Sequence, residues 1–234
     1  MNWRSSVGEV PFIPEKRIEQ DAELLLVEYA RDQGVAVSFP VPIEEVLEVQ
    51  LKLTFEMDDL RAAFASPDVL GAIWFKNGLV KVDASLDPHT SPQMLGRFRF
   101  TLAHEVGHWR LHRHLYREDP SQAHLFGGHG HPAFVCRSSD KPSVEWQADN
   151  FASYALMPKK LVMAAWQEWR GNLDPVILSS LPPVTGGGGR DPDNVRLDRF
   201  AKPLAEKLEV SAEAMRIRLE KLGLLLRETP NTLF

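Results

Sequence analysis

The sequence predicts an α+β fold, in which a small, mostly antiparallel sheet packs on helices and a helical unit follows at the C-terminus. Two stretches, 97–112 and 143–158, carry apolar residues at helical spacing, which predicts two helices. Between 51 and 82, alternating apolar and polar residues and a hairpin turn predict the sheet. Two further helical patterns follow a stretch rich in proline and glycine, which is typical of a linker.

We expect the chain to divide into three parts. A chain of 234 residues is long enough for one substantial core with a small appendage. The expected boundaries enclose a main domain at 10–171, a Pro- and Gly-rich linker or loop at 172–194 and a helical unit at 195–228.

Composition and charge exclude several classes of protein. With 44% hydrophobic and 25% charged residues, the chain has the composition of an ordinary globular protein. A net charge of -5 gives no general attraction to nucleic acids or anionic membranes, so we expect neither membrane association nor direct nucleic-acid binding. The single cysteine, Cys136, excludes an internal disulfide framework, and 1–17 lacks the apolar stretch of a signal peptide. We therefore expect a cytoplasmic protein.

The elements before the first long helix follow from local patterns. A helix is predicted at 14–29 with an end near Gly34, and a second one at 43–50. The alternation at 51–57 predicts a strand. Apolar segments on both sides of Asn77-Gly78 predict a hairpin, and this residue pair favours a two-residue type I′ turn.

The helix at 97–112 contains the pattern H-E-x-x-H. His104 and His108 lie one turn apart, so both imidazoles can bind one metal ion. Glu105, beside the first of them, can reach a metal-bound water, and His112 lies one turn further along the same face. This is the spacing of a zinc site, but a third ligand is needed.

A third ligand is available on the helix at 143–158. Glu145 and Asp149 are again one turn apart. Glu145 can complete a site of two histidines and one carboxylate, while Asp149 can accept a hydrogen bond from the far ring nitrogen of a ligand histidine. The fourth position then stays open for water, which is typical of catalytic zinc sites.

These two helices resemble the ImmA/IrrE family of zinc metallopeptidases. The matching residues are RFTLAHEVGHWRLH at 99–112 and EWQADNFASYALMP at 145–158, and weaker matches extend over most of 10–226. The resemblance implies a zincin-like, gluzincin-like metallopeptidase domain with Zn2+ as its cofactor.

The resemblance also implies roles for individual residues. The three zinc ligands are expected to be His104, His108 and Glu145. Glu105 is expected to be the catalytic residue, which takes a proton from zinc-activated water and delivers it to the departing amine. Gln147 stands where the family often has an acidic residue, and since it has no carboxylate, Glu145 is the better ligand.

Members of this family typically cleave helix-turn-helix transcriptional repressors and thereby switch on stress-response, phage or mobile-element genes. We therefore expect a zinc metalloendopeptidase whose partner is such a repressor. The alternative is a DNA-binding regulator or toxin-antitoxin component with a structural zinc site, in which 195–226 acts. Basic residues there, such as Arg216 and Arg218, alternate with acidic ones, which favours packing or substrate docking over DNA reading.

Three further interpretations concern the surroundings of the site. Zinc peptidases of this kind bind an extended peptide along a sheet edge, and we expect one hairpin strand to supply it, unless the hairpin only covers the core. His112 could bond to a ligand histidine, donate to the transition state or belong to the core. His129 and His131 could bind a second metal, although spare loop histidines are common.

Overall fold

The computed structural model describes residues 10–115, 132, 134–137, 143–184 and 189–228. Its helices and strands are, in chain order, α1 (Glu15–Gln33), α2 (Ile43–Glu45, continued by a π-helix at Val46–Gln50), β1 (Thr54–Asp58), α3 (Leu60–Ala63), β2 (Val69–Trp74), β3 (Leu79–Asp83), α4 (Leu95–His112), β4 (Phe134–Arg137), α5 (Ser143–Leu156), α6 (Lys159–Arg170), β5 (Val176–Ile177), α7 (Pro192–Leu208), α8 (Ala212–Lys221) and β6 (Leu225–Leu226). The described residues form two compact units, one of 10–37 and 41–156 and the other of 38–40 and 157–228.

The first unit confirms the predicted α+β class. Its sheet has four strands in the order β1-β3-β2-β4. β1 pairs in parallel with β3, and the pairs β2–β3 and β2–β4 are antiparallel, so the sheet is mixed and mainly antiparallel. β1 begins at Thr54, three residues later than the alternating pattern begins.

The three main helices of this unit pack closely together. α1 buries one face, including Ile18 and Leu25, and ends as predicted at Gly34, whose φ of 68° is left-handed. α4 and α5 lie close together at Gly107, where an added Cβ would lie 3.2 Å from Cα of Ala148. A glycine at this crossing therefore lets the two helices that carry the predicted ligands lie close to each other.

The expectation that a hairpin strand forms the exposed sheet edge is wrong. Both hairpin strands lie inside the sheet, because β1 pairs with β3 on one side and β4 pairs with β2 on the other. Among the described residues, β1 and β4 are the outer strands. The hairpin itself indicates neither pairing, since both partner strands lie outside it in the sequence.

The prediction of a two-residue type I′ turn is also wrong. Trp74 and Leu79 form the last pair of the hairpin, so the connection has four residues. A type I′ turn needs positive φ at both central residues, whereas here Gly78 has a φ of 60° and Asn77 is not left-handed.

The second unit contains α6, α7 and α8 and a small parallel pair of strands, β5 and β6. α8 begins after Ser211, whose Oγ accepts a hydrogen bond from the backbone N–H of Ala214 at 3.0 Å. Arg216 is buried and paired with Asp198, with 2.8 Å between Nε and Oδ1. Arg218 is buried too and donates to the main-chain oxygen of Met157.

The stretch predicted as a linker, 172–194, contains β5 and the first turn of α7. The three-part division at 171 and 194 stays a prediction. Within the described part of the chain, no helix combines the length and apolar character needed to cross a membrane.

Candidate metal centre

Two buried histidines of α4 meet a carboxylate of α5. His104 and His108 are 1% and 0% exposed, and Glu145 is 7% exposed. The Nε2 atoms of the two histidines lie 3.0 Å apart. Glu145 lies 3.1 Å from Nε2 of His104 through Oε2, and 3.5 Å from Nε2 of His108 through Oε1. Among the described residues, these three side chains form a group that could hold a metal ion.

The three distances suit a small tetrahedral cation. Zinc binds imidazole nitrogen and carboxylate oxygen at about 2.0–2.2 Å, so ligand atoms around it lie about 3.3–3.5 Å apart. The observed separations of 3.0, 3.1 and 3.5 Å need only small adjustments to reach these values.

Asp149 contacts His104 at the ring nitrogen that does not face Glu145. Its Oδ1 lies 2.9 Å from Nδ1 of His104, and its side chain is half exposed. The carboxylate accepts a hydrogen bond from this nitrogen, so the Nε2 lone pair of His104 faces Glu145. Two acceptors 3.1 Å apart repel each other unless a proton or a cation lies between them, and this arrangement fits a metal ion.

Protons on the neighbouring histidines stabilise the ionised form of Glu145. Burial raises the pKa of this carboxyl, but the opposing effect of protonated His108 and His104 is larger and leaves the pKa below its usual range. Burial is also the main reason why the pKa of His108 is lowered. A neutral imidazole and an ionised carboxylate are the forms that bind a metal.

Glu105 lies beside His104 and His108 in a different environment. Its side chain is fully buried, and neither carboxylate oxygen has a hydrogen-bond partner among the described residues. Burial raises its pKa to about 8, with a smaller opposing effect from His104. The space beside it is tight, because a Cβ added to Gly71 would lie 2.6 Å from Oε1 of Glu105. A buried carboxyl without a partner is costly for stability and is typical of functional sites.

His112 lies on the side of His108 that faces away from the other ligand atoms. Its Nδ1 is 3.0 Å from Nδ1 of His108, and its Nε2 is 3.0 Å from Oε1 of Gln147. Burial, followed by the neighbouring His108, lowers the pKa of His112 to about 3, so its ring is neutral. The structure thus brings His112 into contact with His108.

Three residues of the site were not assigned a role from the sequence. The ring of Phe134 on β4 stacks on His108 with 4.2 Å between centroids and 8° between planes. Gly71 on β2 faces Glu105, and Gln147 contacts His112. The hypothetical second metal site at His129 and His131 lies outside the described residues.

A family model described as Peptidase_M78, IrrE N-terminal-like domain, matches residues 89–220. The match covers more than half of the 234-residue chain and includes both helices of the candidate metal centre. No curated protein matches the chain.

Proposed function

This chain belongs to the Peptidase_M78 (IrrE N-terminal-like) family, and from that membership we propose that it is a zinc-dependent endopeptidase. The family is one of metallopeptidases, so the substrates are proteins or peptides. The observation that carries the zinc endopeptidase proposal is the position of Glu105. It is a fully buried carboxyl, without a hydrogen-bond partner in the part of the chain that the structure describes, and it lies beside three side chains that could hold a metal.

His104, His108 and Glu145 would hold the zinc ion, since two imidazoles and one carboxylate are a common ligand set of catalytic zinc. Zinc bound there would supply Lewis-acid polarisation of the scissile carbonyl and a lowered pKa for the attacking water. Asp149 would keep His104 in the tautomer whose Nε2 is free to bind the metal.

Glu105 would move the proton. Its carboxylate accepts a proton from the attacking water and then donates it to the amine that leaves the cleaved peptide bond. One observation supports this role: among the described residues, no group is hydrogen-bonded to the oxygens of Glu105, so they are available to a water beside the three metal-binding side chains.

The substrate backbone would pair with β4. This strand is an outer strand of the sheet among the described residues, and its Phe134 stacks on His108. An extended peptide added to that edge would pass beside the ligand histidines and be held by main-chain hydrogen bonds. This assignment replaces the hairpin strands, which lie inside the sheet.

The proposed substrate is a helix-turn-helix transcriptional repressor, whose cleavage would switch on stress-response, phage or mobile-element genes. This part rests on the resemblance to the ImmA/IrrE family. The alternative of a DNA-binding regulator with a structural zinc site has less support, because Arg216 and Arg218 of α8 are buried rather than available to phosphates. A free carboxylate at Glu105 is also not needed in a structural site.

The proposal is tested by comparing new protein N-termini in cells that produce the wild type with those in cells that produce Glu105→Gln. Both proteins are held at matched levels with zinc supplied. We expect a helix-turn-helix protein to be cut only by the wild type. Identical sets of N-termini would contradict repressor cleavage, and salt-dependent DNA binding by the full chain would favour the alternative.

A further inference from the structure

We infer that Gln147 is a positioning residue, which selects the tautomer of His112 and through it the metal-binding tautomer of His108. The inference rests on the proposed metal-binding role of His108. It concerns a chain of hydrogen bonds that starts at the main-chain oxygen of Pro11, where it is partly buried, and ends at the fully buried ring of His108.

Three contacts of nearly equal length form this chain. Nε2 of Gln147 donates to the main-chain oxygen of Pro11 at 3.0 Å. Oε1 of Gln147 lies 3.0 Å from Nε2 of His112, and Nδ1 of His112 lies 3.0 Å from Nδ1 of His108. Gln147, His112 and His108 are each 0% exposed, so water cannot substitute for a missing partner.

The direction of every hydrogen bond follows from the first one. A main-chain carbonyl oxygen can only accept, so the NH2 group of Gln147 must face Pro11 and its oxygen must face His112. An amide oxygen also only accepts, so His112 must carry its proton on Nε2. Nδ1 of His112 is then an acceptor, and Nδ1 of His108 must be protonated and donate to it.

This direction is the one that metal binding requires. With its proton on Nδ1, His108 presents the lone pair of Nε2, and this is the atom that lies 3.0 Å from Nε2 of His104 and 3.5 Å from Glu145. If the amide of Gln147 were reversed, its NH2 group would donate to Nε2 of His112. His112 would then carry its proton on Nδ1 and donate it to Nδ1 of His108. The proton of His108 would then occupy Nε2, the ligand position.

Residues of α5 also hold the segment around Pro11, where the chain of hydrogen bonds begins. The ring of Phe12 stacks on Trp146, with 6.1 Å between centroids and 16° between planes. The hydroxyl of Tyr154 donates to Glu15, at the start of α1. The same helix that carries Gln147 thus fixes the position of the carbonyl that orients its amide.

The inference is tested first on the wild type, by long-range 15N–1H NMR of the histidine rings in zinc-free and zinc-loaded protein. We expect His112 to be protonated on Nε2 and bare on Nδ1 in both forms. A proton on Nδ1 of His112 with a bare Nε2 would overturn the inference. This measurement needs no variant and therefore does not depend on a substitution being tolerated.

Two substitutions separate positioning from packing. Gln147→Met retains much of the side-chain volume but has no amide, so we expect a mixture of His112 tautomers and a zinc affinity lower by about 10- to 100-fold. Gln147→Glu can keep both contacts as the neutral acid, whose hydroxyl donates to Pro11 and whose carbonyl oxygen accepts from His112, so we expect His112 to keep its Nε2 proton and zinc affinity to stay within a few-fold of wild type. An unchanged tautomer or unchanged zinc affinity in Gln147→Met would overturn the inference.

The matched control is Asn150→Ala, which removes another buried amide of α5. Asn150 donates to the main-chain oxygen of Trp146 and lies outside the chain of hydrogen bonds. We expect it to leave the His112 tautomer unchanged, and a tautomer shift of the same size as in Gln147→Met would overturn the inference. Wild-type protein with the expected tautomer but no zinc binding would instead contradict the proposed function alone.

Discussion

Gly71 of β2 and Glu105 of α4 share a space that admits no further atom. A Cβ on Gly71 would lie 2.6 Å from Oε1 of Glu105 and 2.7 Å from Cγ2 of Thr101, whereas real Cβ contacts essentially never fall below 3.0 Å. β2, an inner strand of the sheet, thus has no side chain at the point where the buried carboxyl of Glu105 lies against it. The position of Glu105 therefore depends on a residue in a different element.

We predict that Gly71→Ala reduces peptide cleavage by about 100-fold, because a displacement of about 1 Å at a reacting group can have an effect of this size. Gly71 does not have a positive φ, so the alanine backbone itself is not strained. Zinc content should stay near one ion per chain, since the methyl group meets Glu105 and Thr101 rather than a proposed ligand. Cleavage rate and zinc content of the same sample provide the measurement.

The double variant Gly71→Ala/Thr101→Ser controls for the second contact. Serine lacks the methyl carbon of Thr101, so it relieves that contact and leaves the one with Glu105. Cleavage should stay low in the double variant. Full recovery of activity would attribute the loss to Thr101 and contradict the account.

We predict a graded effect of two substitutions on α5. Asp149→Ala should weaken zinc binding by about 10- to 100-fold, because it removes the acceptor that orients His104. Glu145→Ala should have a larger effect, since it removes a proposed ligand. Competition with a chromogenic chelator measures both affinities. If Asp149→Ala bound zinc as tightly as the wild type, the contact between Asp149 and His104 would not contribute to metal binding.

We predict that Gly107→Ala destabilises the protein by about 1–3 kcal/mol, which is typical of an overpacked core. The added Cβ would lie 3.1 Å from Cβ of Phe151 and 3.2 Å from Cα and the main-chain oxygen of Ala148. α4 and α5 would have to separate by a few tenths of an ångström, and the proposed ligands with them. Urea unfolding without metal gives the change in stability, and Gly107→Val should be worse. Equal stabilities of wild type and Gly107→Ala would contradict this packing argument.

We predict that the stability difference between Glu105→Gln and wild type depends on pH when zinc is removed. The folded protein raises the pKa of Glu105 to about 8, so the stability contributed by its protonated form is complete below about pH 4.5 and is lost as pH rises to about 8. Glutamine stays neutral throughout. The variant should therefore gain about 3–4 kcal/mol relative to wild type between pH 5 and pH 8, measured by urea unfolding with a chelator.

The other titrating groups of the site are present in both proteins, so to first order their effects cancel in this difference. A difference that is constant from pH 5 to pH 8 would show that Glu105 is ionised in the folded protein well below pH 8. The buried, unbonded environment described above would then be incorrect.

Local spacing accounts for the part of the site that could be predicted from the sequence. His104 and His108 share one helix face, and Glu145 and Asp149 share another. The structure brings His104, His108 and Glu145 together. Asp149 contacts the far ring nitrogen of His104. Helical periodicity alone gives these relations within each helix. That the two helices meet was expected from the need for a third ligand and from the resemblance, and Gly107 gives the physical reason for their close approach.

The parts that could not be predicted depend on contacts between distant segments. The order of the strands depends on pairings of β1 and β4 that no local pattern indicates. A glycine has no side chain that suggests a function. The role of Gly71 depends on its contact with Glu105, which lies 34 positions later in the chain. Gln147 was considered only as a possible ligand and was rejected because it is an amide, yet the amide is the group that bridges Pro11 and His112.

The most direct test of the proposed chemistry is the rate at which zinc-loaded protein cleaves a pool of proteome-derived peptides, compared between wild type and Glu105→Gln at equal zinc content. Glutamine keeps the shape of the side chain but cannot take a proton from water. We predict that the variant binds zinc and cleaves at least about 100-fold more slowly, which is the usual contribution of a general base. Equal rates for the two proteins would contradict the role of Glu105 and with it the proposed mechanism.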